Sequence, residues 1–323
     1  MKKPIPVKIA MVAYNQEKYI SQAIESVLMQ KTNFSYQLVI GDDCSTDSTT
    51  QICALYAEKF PDKITFIYNN QNRGLLENYK QILDNHPAKY IAILEGDDYW
   101  TDENKLQLQF DLLENNPDIG LIHTDCAFLF ESGKLKKNHH KRHYKSIKKG
   151  NVFYQLLLEN YIRPVTVMFR QELYNKYISV DEYIRLGFKM IDYPMWLDTS
   201  LHTKFYYLNI STAVYRVHNS SVSHSNQYEK AASFFDSIFE IKCYALAKYE
   251  LNAEYSNHLI NDCLTNQVTI EMEFQKYENV AKIAKKIAVS NFRNLTIRIM
   301  STNRFLIDMY SHYLKYRRNI QGS

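Results

Sequence analysis

A short apolar run that ends in two adjacent acids constrains this chain more than any other feature. Residues 90–94 are Tyr-Ile-Ala-Ile-Leu, Gly96 breaks the run, and Asp97 and Asp98 follow. Such a run, bounded by a turn signal, predicts a strand buried on both faces. Open α/β sheets bind ligands at the carboxyl ends of these strands. Because neighbouring carboxylates repel, the pair predicts either a solvated acidic turn or a divalent cation held by oxygen ligands.

The residues before this run alternate between strand and helix patterns. Strands are predicted at residues 7–13, 36–40, 64–68 and 90–94, and helices at residues 19–30, 50–60 and 75–85. This alternation predicts βαβ units and a mostly parallel α/β sheet flanked by helices. Right-handed crossovers bring the polar residues that follow each strand to one sheet edge. Those residues are Asn15, Glu17, Asp42, Asp43, Asn72, Arg73, Asp97 and Asp98.

The layout is typical of nucleotide binding, yet the glycine motifs that cradle phosphates are absent. The eight glycines form no G-x-G, and no G-x-x-x-x-G-K-[ST] occurs. A nucleotide bound here needs its phosphates neutralised in another way, and a divalent cation on Asp98 would do so. The sequence therefore favours the cation over the solvated turn.

Composition limits the remaining classes. A length of 323 residues with 46% hydrophobic content allows one large domain plus an appendage. The net charge of +4 is mild, and we expect no nucleic-acid partner. Five scattered cysteines without a C-x-x-C pair indicate neither a disulfide framework nor a zinc site. The amino-terminal residues lead into a strand pattern and not a signal-peptide core, so a cytoplasmic protein is expected.

Five stretches, taken in order, resemble the signatures of family 2 glycosyltransferases. They are residues 10–20, 39–49, 94–102, 187–197 and 213–223. The resemblance implies an inverting enzyme with a GT-A fold, a Rossmann-like α/β architecture that binds a nucleotide sugar. It does not cover residues 226–323, whose pattern is helical throughout. We therefore expect a GT-A catalytic domain at 1–225, with a nucleotide-sugar part at about 1–125 and an acceptor part at about 126–225, and an all-helical region at 226–323.

The resemblance also implies roles for the donor side. Asp43 resembles the residue that reads the uracil edge, and Asp42 and Glu17 are expected to help hold the nucleoside. Tyr14 lies in the first signature beside Glu17, and Tyr14 and Asn72 are also expected to contact the donor. Asn72 and Arg73 follow the third strand, where the arginine either contacts base or phosphate or is merely solvated.

Asp97 and Asp98 resemble the family's D-x-D element, which implies Asp98, with Asp97, as ligands of Mn²⁺ or Mg²⁺. Glu95 stands where the family often has aspartate, so its longer arm could reach ribose or metal. Trp100 is expected either to pack in the core, which we favour, or to form a platform on which the acceptor sugar stacks. Asp47 is predicted to cap the following helix and has no assigned chemistry.

Asp192 resembles the family's catalytic base, although Ile191 replaces the usual glutamate before it. Its alternative role is that of a helix N-cap, since Pro194 and a helical pattern follow. The resemblance also implies that Arg216 and His218 close over the diphosphate. On spacing alone, they could equally belong to a surface strand.

Two basic segments lie outside these signatures. Residues 134–149 form either a solvated loop or a contact for an anionic acceptor. Residues 281–323 hold nine Lys/Arg and one acid among apolar residues, which fits docking on the catalytic domain, an anionic membrane surface or a homodimer contact. A peripheral location at the inner face of the cell membrane is one expectation.

The predicted function is transfer of a sugar from a nucleotide sugar, with UDP preferred, to a hydroxyl of a glycan or lipid-linked acceptor. Surface polysaccharide, lipid-linked glycan and glycoprotein glycan synthesis all fit this hexosyltransferase chemistry. The alternatives are a non-catalytic nucleotide-sugar-binding module and a nucleotidyltransferase on a related fold. The second of these should carry a glycine-rich amino-terminal loop, and residues 12–16 contain no glycine.

Overall fold

The computed structural model describes residues 5–137, 150–218, 227–251, 253–288 and 292–322. Its internal contacts divide the chain into two compact units. The first comprises Met1–Leu129 and Leu135–Arg216, and the second comprises Phe130–Lys134 and Val217–Ser323. The domain limits 1–225 and 226–323 remain a prediction.

One mixed sheet forms the centre of the first unit. Within the described ranges its nine strands are β1 (Ile5–Ala13), β2 (Tyr36–Asp42), β3 (Ile64–Tyr68), β4 (Ala88–Ile93), β5 (Tyr99–Trp100), β6 (Ile119–Phe130), β7 (Leu135–Lys136), β8 (Val167–Arg170) and β9 (Lys204–Val217). Their order is β3-β2-β1-β4-β8-β6-β9-β5, and β7 pairs with β6. Strands β1 to β4 pair in parallel, as predicted, whereas β8 is antiparallel to both β4 and β6.

The parallel half of the sheet positions the candidate site. The chain moves outward from β1 to β2 and β3 and then returns to β4 on the other side of β1. Strand order therefore reverses between β1 and β4, which is where open α/β sheets form a ligand crevice at their carboxyl ends. Gly96 lies in the turn that follows β4 at this point.

In the described part of the chain, eight helices of the first unit accompany this sheet. They are α1 (Ile20–Leu28), α2 (Thr49–Lys59), α3 (Leu75–Asn85), α4 (Lys105–Asn115), α5 (Phe153–Leu158), α6 (Gln171–Tyr177), α7 (Val180–Arg185) and α8 (Asp192–Ser200), with a 3₁₀ turn at Pro164–Thr166. In α1 the buried residues Ile20, Ala23, Ile24 and Val27 follow the helical period. The GT-A-type α/β prediction thus agrees with the observed strand and helix order.

The second unit is helical after residue 227, as predicted. Its helices within the described ranges are α9 (Tyr228–Lys248), α10 (Ala253–Glu273), α11 (Tyr277–Ala284), α12 (Phe292–Met300) and α13 (Arg304–Gly322). Ile287, Ile297 and Ile307 are buried in a core formed with α10. The apolar residues of 281–323 thus divide into a buried set and an exposed set.

Two predictions concern residues outside the described ranges. Most of the basic loop at 134–149 lies there, and so do residues 219–223 of the last signature. Among the helices that are described, none is long and apolar enough to cross a membrane.

Candidate active site

The turn after β4 brings three carboxylates together. One oxygen each from Glu95, Asp97 and Asp98 lies within 4.8 Å of the others. Gly96 allows the turn to approach β1, since its N–H donates to the Val12 carbonyl at 3.0 Å. A Cβ at this position would lie 2.7 Å from Ile20 Cδ1, so a larger residue would force that side chain to shift.

Burial and mutual repulsion disfavour the ionised forms of the Asp98 and Glu95 carboxyl groups in this turn. Asp98 is 1% exposed, and burial together with the charges of Asp97 and Glu95 raises the pKa of its carboxyl. Burial, then the charges of Asp97 and Asp192, raise the pKa of Glu95 to about 8. Three carboxylates at this separation are costly unless protons or a cation compensate them.

The residues present fit a divalent cation. Asp98 Oδ1 accepts a hydrogen bond from the Arg216 backbone N–H at 2.8 Å. Its Oδ2 is buried and has no hydrogen-bond partner among the residues described. An orphaned carboxylate oxygen beside two further carboxylates is the oxygen-rich arrangement that Mn²⁺ or Mg²⁺ prefers.

Arg216 is hydrogen-bonded to the acidic turn through its side chain as well as its backbone. Its guanidinium donates to the Asp97 carbonyl and to the Gln22 side chain. The guanidinium carbon lies 4.8 Å from the ring centroid of Tyr19 and 4.6 Å from that of Tyr99. The structure therefore directs this guanidinium into the protein, and its expected contact with a diphosphate stays a prediction.

The structure also shows where two other predicted residues lie, His218 after β9 and Trp100 in β5. His218 follows β9 directly, is buried and belongs to the second unit, so its role also stays a prediction. Trp100 is 1% exposed and its indole N–H donates to the Val165 carbonyl at 2.9 Å. Core packing is therefore the correct alternative for Trp100.

Asp192 faces the same acidic turn. It is the first residue of α8, and Ile191 occupies the N-cap position, so the N-cap alternative for Asp192 is wrong. Its Oδ2 accepts a hydrogen bond from Asn160 Nδ2 at 2.9 Å. Its charge acts on the Glu95 carboxyl and on the Tyr79 hydroxyl, and burial raises the pKa of Asp192 itself. A partly exposed carboxylate at this position is chemically suited to accept a proton.

The two acids after β2 tie loops together. Asp43 is buried, and its oxygens accept the backbone N–H groups of Arg73 and Gly74, each at 2.8 Å. Asp42 is buried and accepts hydrogen bonds from the Ser45 and Thr50 hydroxyls. These contacts fix the loops on which a nucleoside would lie, while the expected base contact of Asp43 remains a prediction.

The first loop is connected to the loop after β2. The backbone N–H of Glu17 donates to Asp47 at 3.1 Å, and its carboxylate accepts the Ser48 N–H at 3.0 Å. Asp47 also accepts the Thr49 N–H at 2.9 Å, although Ser48 is the N-cap of α2. Asp47 therefore accepts a backbone N–H from the first turn of α2, although it lies one residue before the N-cap.

The remaining predicted donor residues are accessible at the same edge. Tyr14 follows β1 and is 47% exposed, and Asn72 and Arg73 are exposed in the loop after β3. Exposure is compatible with ligand contact but is equally compatible with solvation. Their binding roles stay predictions.

Sequence reasoning missed four residues that the fold brings to the site. Tyr79 donates its hydroxyl to Glu95 at 3.3 Å, and Gln22 contacts Arg216. Asn160 contacts Asp192, and the positive charge of Arg163 acts on the same carboxylate. Tyr79 lies within the helix predicted at residues 75–85, but no local signal distinguished it or the other three as site residues.

Comparison with known proteins agrees with this geometry. The sequence model described as glycosyl transferase family 2 matches residues 8–178, which is more than half of the chain. This chain belongs to glycosyl transferase family 2. The suspected family is therefore confirmed.

An uncharacterised protein of Mycobacterium tuberculosis is 29% identical to this family 2 chain over 219 residues. The match covers 68% of this chain and 61% of the relative, so the chain spans about three-fifths of that relative's length.

Two solved structures share the fold. Staphylococcus aureus TarS 1–349 in complex with UDP-GlcNAc has a TM-score of 0.51 and 12% identity, covering 98% of this chain and 92% of TarS. The mannosyltransferase PcManGT of Pyrobaculum calidifontis, in complex with GDP-Man and Mn²⁺, has a TM-score of 0.52 and 14% identity, covering 97% and 89%. At such low identity these likenesses support the GT-A fold alone, which is the architecture expected of a family 2 member.

Replacement of Arg216 tests its role beneath the acidic turn. Arg216→Met removes two hydrogen bonds and two ring contacts, so we expect a loss of about 2 kcal/mol or more in the free energy of unfolding. Arg185→Met is the control, because that side chain is 71% exposed. Urea denaturation measures both variants, and equal stability would contradict the role assigned to Arg216.

Proposed function

We propose that this chain is an inverting, metal-dependent glycosyltransferase. It transfers a hexosyl group from a nucleotide sugar, with UDP as the expected nucleotide, to an acceptor hydroxyl. The single observation that carries the proposal is that Asp192 lies near enough to the Glu95–Asp97–Asp98 turn for its charge, in addition to burial and the charge of Asp97, to raise the pKa of Glu95. A candidate base and a candidate cation site are thus neighbours after the carboxyl end of β4, where strand order reverses.

Family membership and neighbouring structures support the donor class. The TarS structure contains UDP-GlcNAc and the PcManGT structure contains GDP-Man, so each of these two neighbours binds a nucleotide sugar. The preference for UDP rests on the resemblance of Asp43 to a uracil-reading residue. The proposed acceptor is a glycan or a lipid-linked glycan.

The reaction is a single displacement. The acceptor oxygen attacks the anomeric carbon, Asp192 accepts the hydroxyl proton, and the bond to the diphosphate breaks with its electron pair on the leaving oxygen. Attack from the face opposite the leaving group inverts the anomeric centre. Asp98, with Asp97 and Glu95, would hold Mn²⁺ or Mg²⁺, which when bound supplies positive charge against the negative charge of the leaving diphosphate.

Asp98→Asn tests the cation site without disturbing its shape. The amide keeps an oxygen for the Arg216 N–H but removes one of three repelling charges. Without metal, we therefore expect the melting temperature to stay equal or rise. The additional thermal shift that UDP gives with Mn²⁺ should disappear.

Asp62→Asn, at an exposed acid in the loop before β3, is the matched control and should keep the full Mn²⁺-dependent shift. If Asp98→Asn keeps the same shift as the parent chain, the proposed cation site is incorrect.

Asp192→Asn tests the base. A panel of UDP-GlcNAc, UDP-glucose, UDP-galactose and GDP-mannose identifies a donor by release of the nucleoside diphosphate, with and without Mn²⁺. With that donor, we expect Asp192→Asn to lose about 10²–10⁴-fold in turnover. Donor affinity should be retained, because Asp192 is proposed to contact the acceptor. Turnover equal to that of the parent chain rules out this base, and binding without turnover by the parent chain favours the non-catalytic alternative.

We also propose that the second unit binds an anionic membrane surface. On α12 and α13 five apolar side chains are exposed, from 42% for Leu295 to 68% for Phe305. The others are Ile299, Met309 and Tyr313. Exposed Arg298 and Arg304 lie on the same helices, and residues 281–323 hold nine Lys/Arg against Asp308 alone. Exposed apolar groups among basic residues fit an interface of anionic headgroups.

Co-sedimentation of the full chain with phosphatidylglycerol-containing vesicles tests this second proposal. We expect binding that weakens with salt, is absent with phosphatidylcholine alone, and falls in a Phe305→Ser, Met309→Ser double variant. Leu55→Ser, at a side chain 65% exposed on α2, is the control and should bind as the parent chain does. Unchanged binding by the double variant contradicts the proposal, and a change in oligomeric state favours the dimer alternative.

A further inference from the structure

The segment after α5 reaches the candidate base through one side chain. Asn160 Nδ2 donates to Asp192 Oδ2 at 2.9 Å, although 32 residues separate them. The helices that flank this contact are also joined, because the Tyr193 hydroxyl donates to the Leu156 carbonyl at 2.7 Å. Tyr193 is fully buried. Two contacts therefore fix the end of α5 against the beginning of α8.

Arg163 and the 3₁₀ turn restrain the backbone around Asn160. The Arg163 guanidinium donates to the Asn160 carbonyl at 3.4 Å, and its carbon lies 5.8 Å from the ring centroids of both Phe128 and Tyr215. The Arg163 carbonyl accepts the Thr166 hydroxyl at 2.7 Å at the 3₁₀ turn. The Asn160 amide therefore projects from a segment with little freedom to move.

The amide of Asn160 is only half satisfied. Its N–H donates to Asp192, whereas its Oδ1 is buried and has no hydrogen-bond partner in the described part of the chain. A buried structural amide normally satisfies both ends. Asn160 Oδ1 is therefore an acceptor next to the candidate base, and a hydroxyl of the sugar acceptor could donate to it.

An asparagine suits this position because it donates without titrating. Its N–H restrains rotation of the Asp192 carboxylate, which keeps the proton-accepting oxygen in a fixed direction. The charge of Asp192 acts on Glu95 and on the Tyr79 hydroxyl, and Arg163 adds a positive charge near Asp192. The donated hydrogen bond favours the ionised carboxylate and opposes the effect of burial on the pKa of Asp192.

We propose that Asn160 is a positioning residue that orients the Asp192 carboxylate to accept the acceptor proton, an inference that rests on the proposed function. Asn160 acts through Asp192 and is not assigned a step of its own. Neither the resemblance to the family nor any signature of the sequence includes it.

Asn160→Ala and Asn160→Asp test this role with the nucleotide sugar that turns over fastest in the donor panel. We expect Asn160→Ala to lower turnover by about 10–100-fold, as for other residues that orient a reacting group. The KM for the donor should change little, because Asn160 lies on the acceptor side. Asn160→Asp has the same shape but brings a second negative charge beside Asp192, so its loss at neutral pH should be larger.

The pH profile separates positioning from a merely structural role. Turnover requires ionised Asp192 and falls as the pH drops through its raised pKa. Removal of the Asn160 N–H raises that pKa further, so the acidic limb of Asn160→Ala should move to higher pH. Asn151→Ala is the control, because its Oδ1 accepts the Phe153 N–H at the other end of α5, and it should keep the parent profile.

Each outcome bears on a distinct claim. Parent-like turnover and pH profile in Asn160→Ala overturn the inference. If Asn160→Ala does not fold, parent-like turnover of the isosteric Asn160→Asp overturns it equally. A parent chain that turns over no donor in the panel refutes the proposed function instead.

Discussion

Repulsion among three carboxylates at one buried turn is the constraint on which the rest of the first unit depends. Glu95, Asp97 and Asp98 follow a strand with no exposed face, and Gly96 presses the turn against β1. Such a turn would open unless other groups held it. Arg216 holds it with its backbone N–H on Asp98 and its guanidinium on the Asp97 carbonyl, across 118 residues of sequence. The acids are thus kept together instead of separating into solvent.

The two halves of the sheet contribute differently to the candidate site. The parallel strands β1 to β4 end in loops that are bonded to one another, through Glu17, Asp47 and Asp43. The later part of the fold, which contains the antiparallel strands, supplies Asp192, Asn160 and Arg216. We propose that the donor is held mainly by the first group and that the acceptor is activated by the second. The topological switch point is where the two groups meet.

Much of the fold followed from local patterns, because strand and helix periods and polar breaks are properties of short stretches. The βαβ order, the acidic turn after β4 and the helical second unit were all predictable in this way. The antiparallel strands were not, because pairing of β8 between β4 and β6 depends on contacts distant in sequence. For the same reason nothing local linked Asn160 to Asp192 or Gln22 to Arg216. The N-cap alternative for Asp192 was wrong by one residue, because a sequence pattern locates the start of a helix only approximately.

The central claim is that the acidic turn after β4 binds the ion that carries the donor diphosphate. A crystal of the full chain soaked with UDP and Mn²⁺, with diffraction recorded at the manganese absorption edge, tests it most directly. The account predicts an anomalous peak in contact with an Asp98 oxygen and with the diphosphate, opposite Asp192. An ion or a diphosphate bound away from that turn would contradict it.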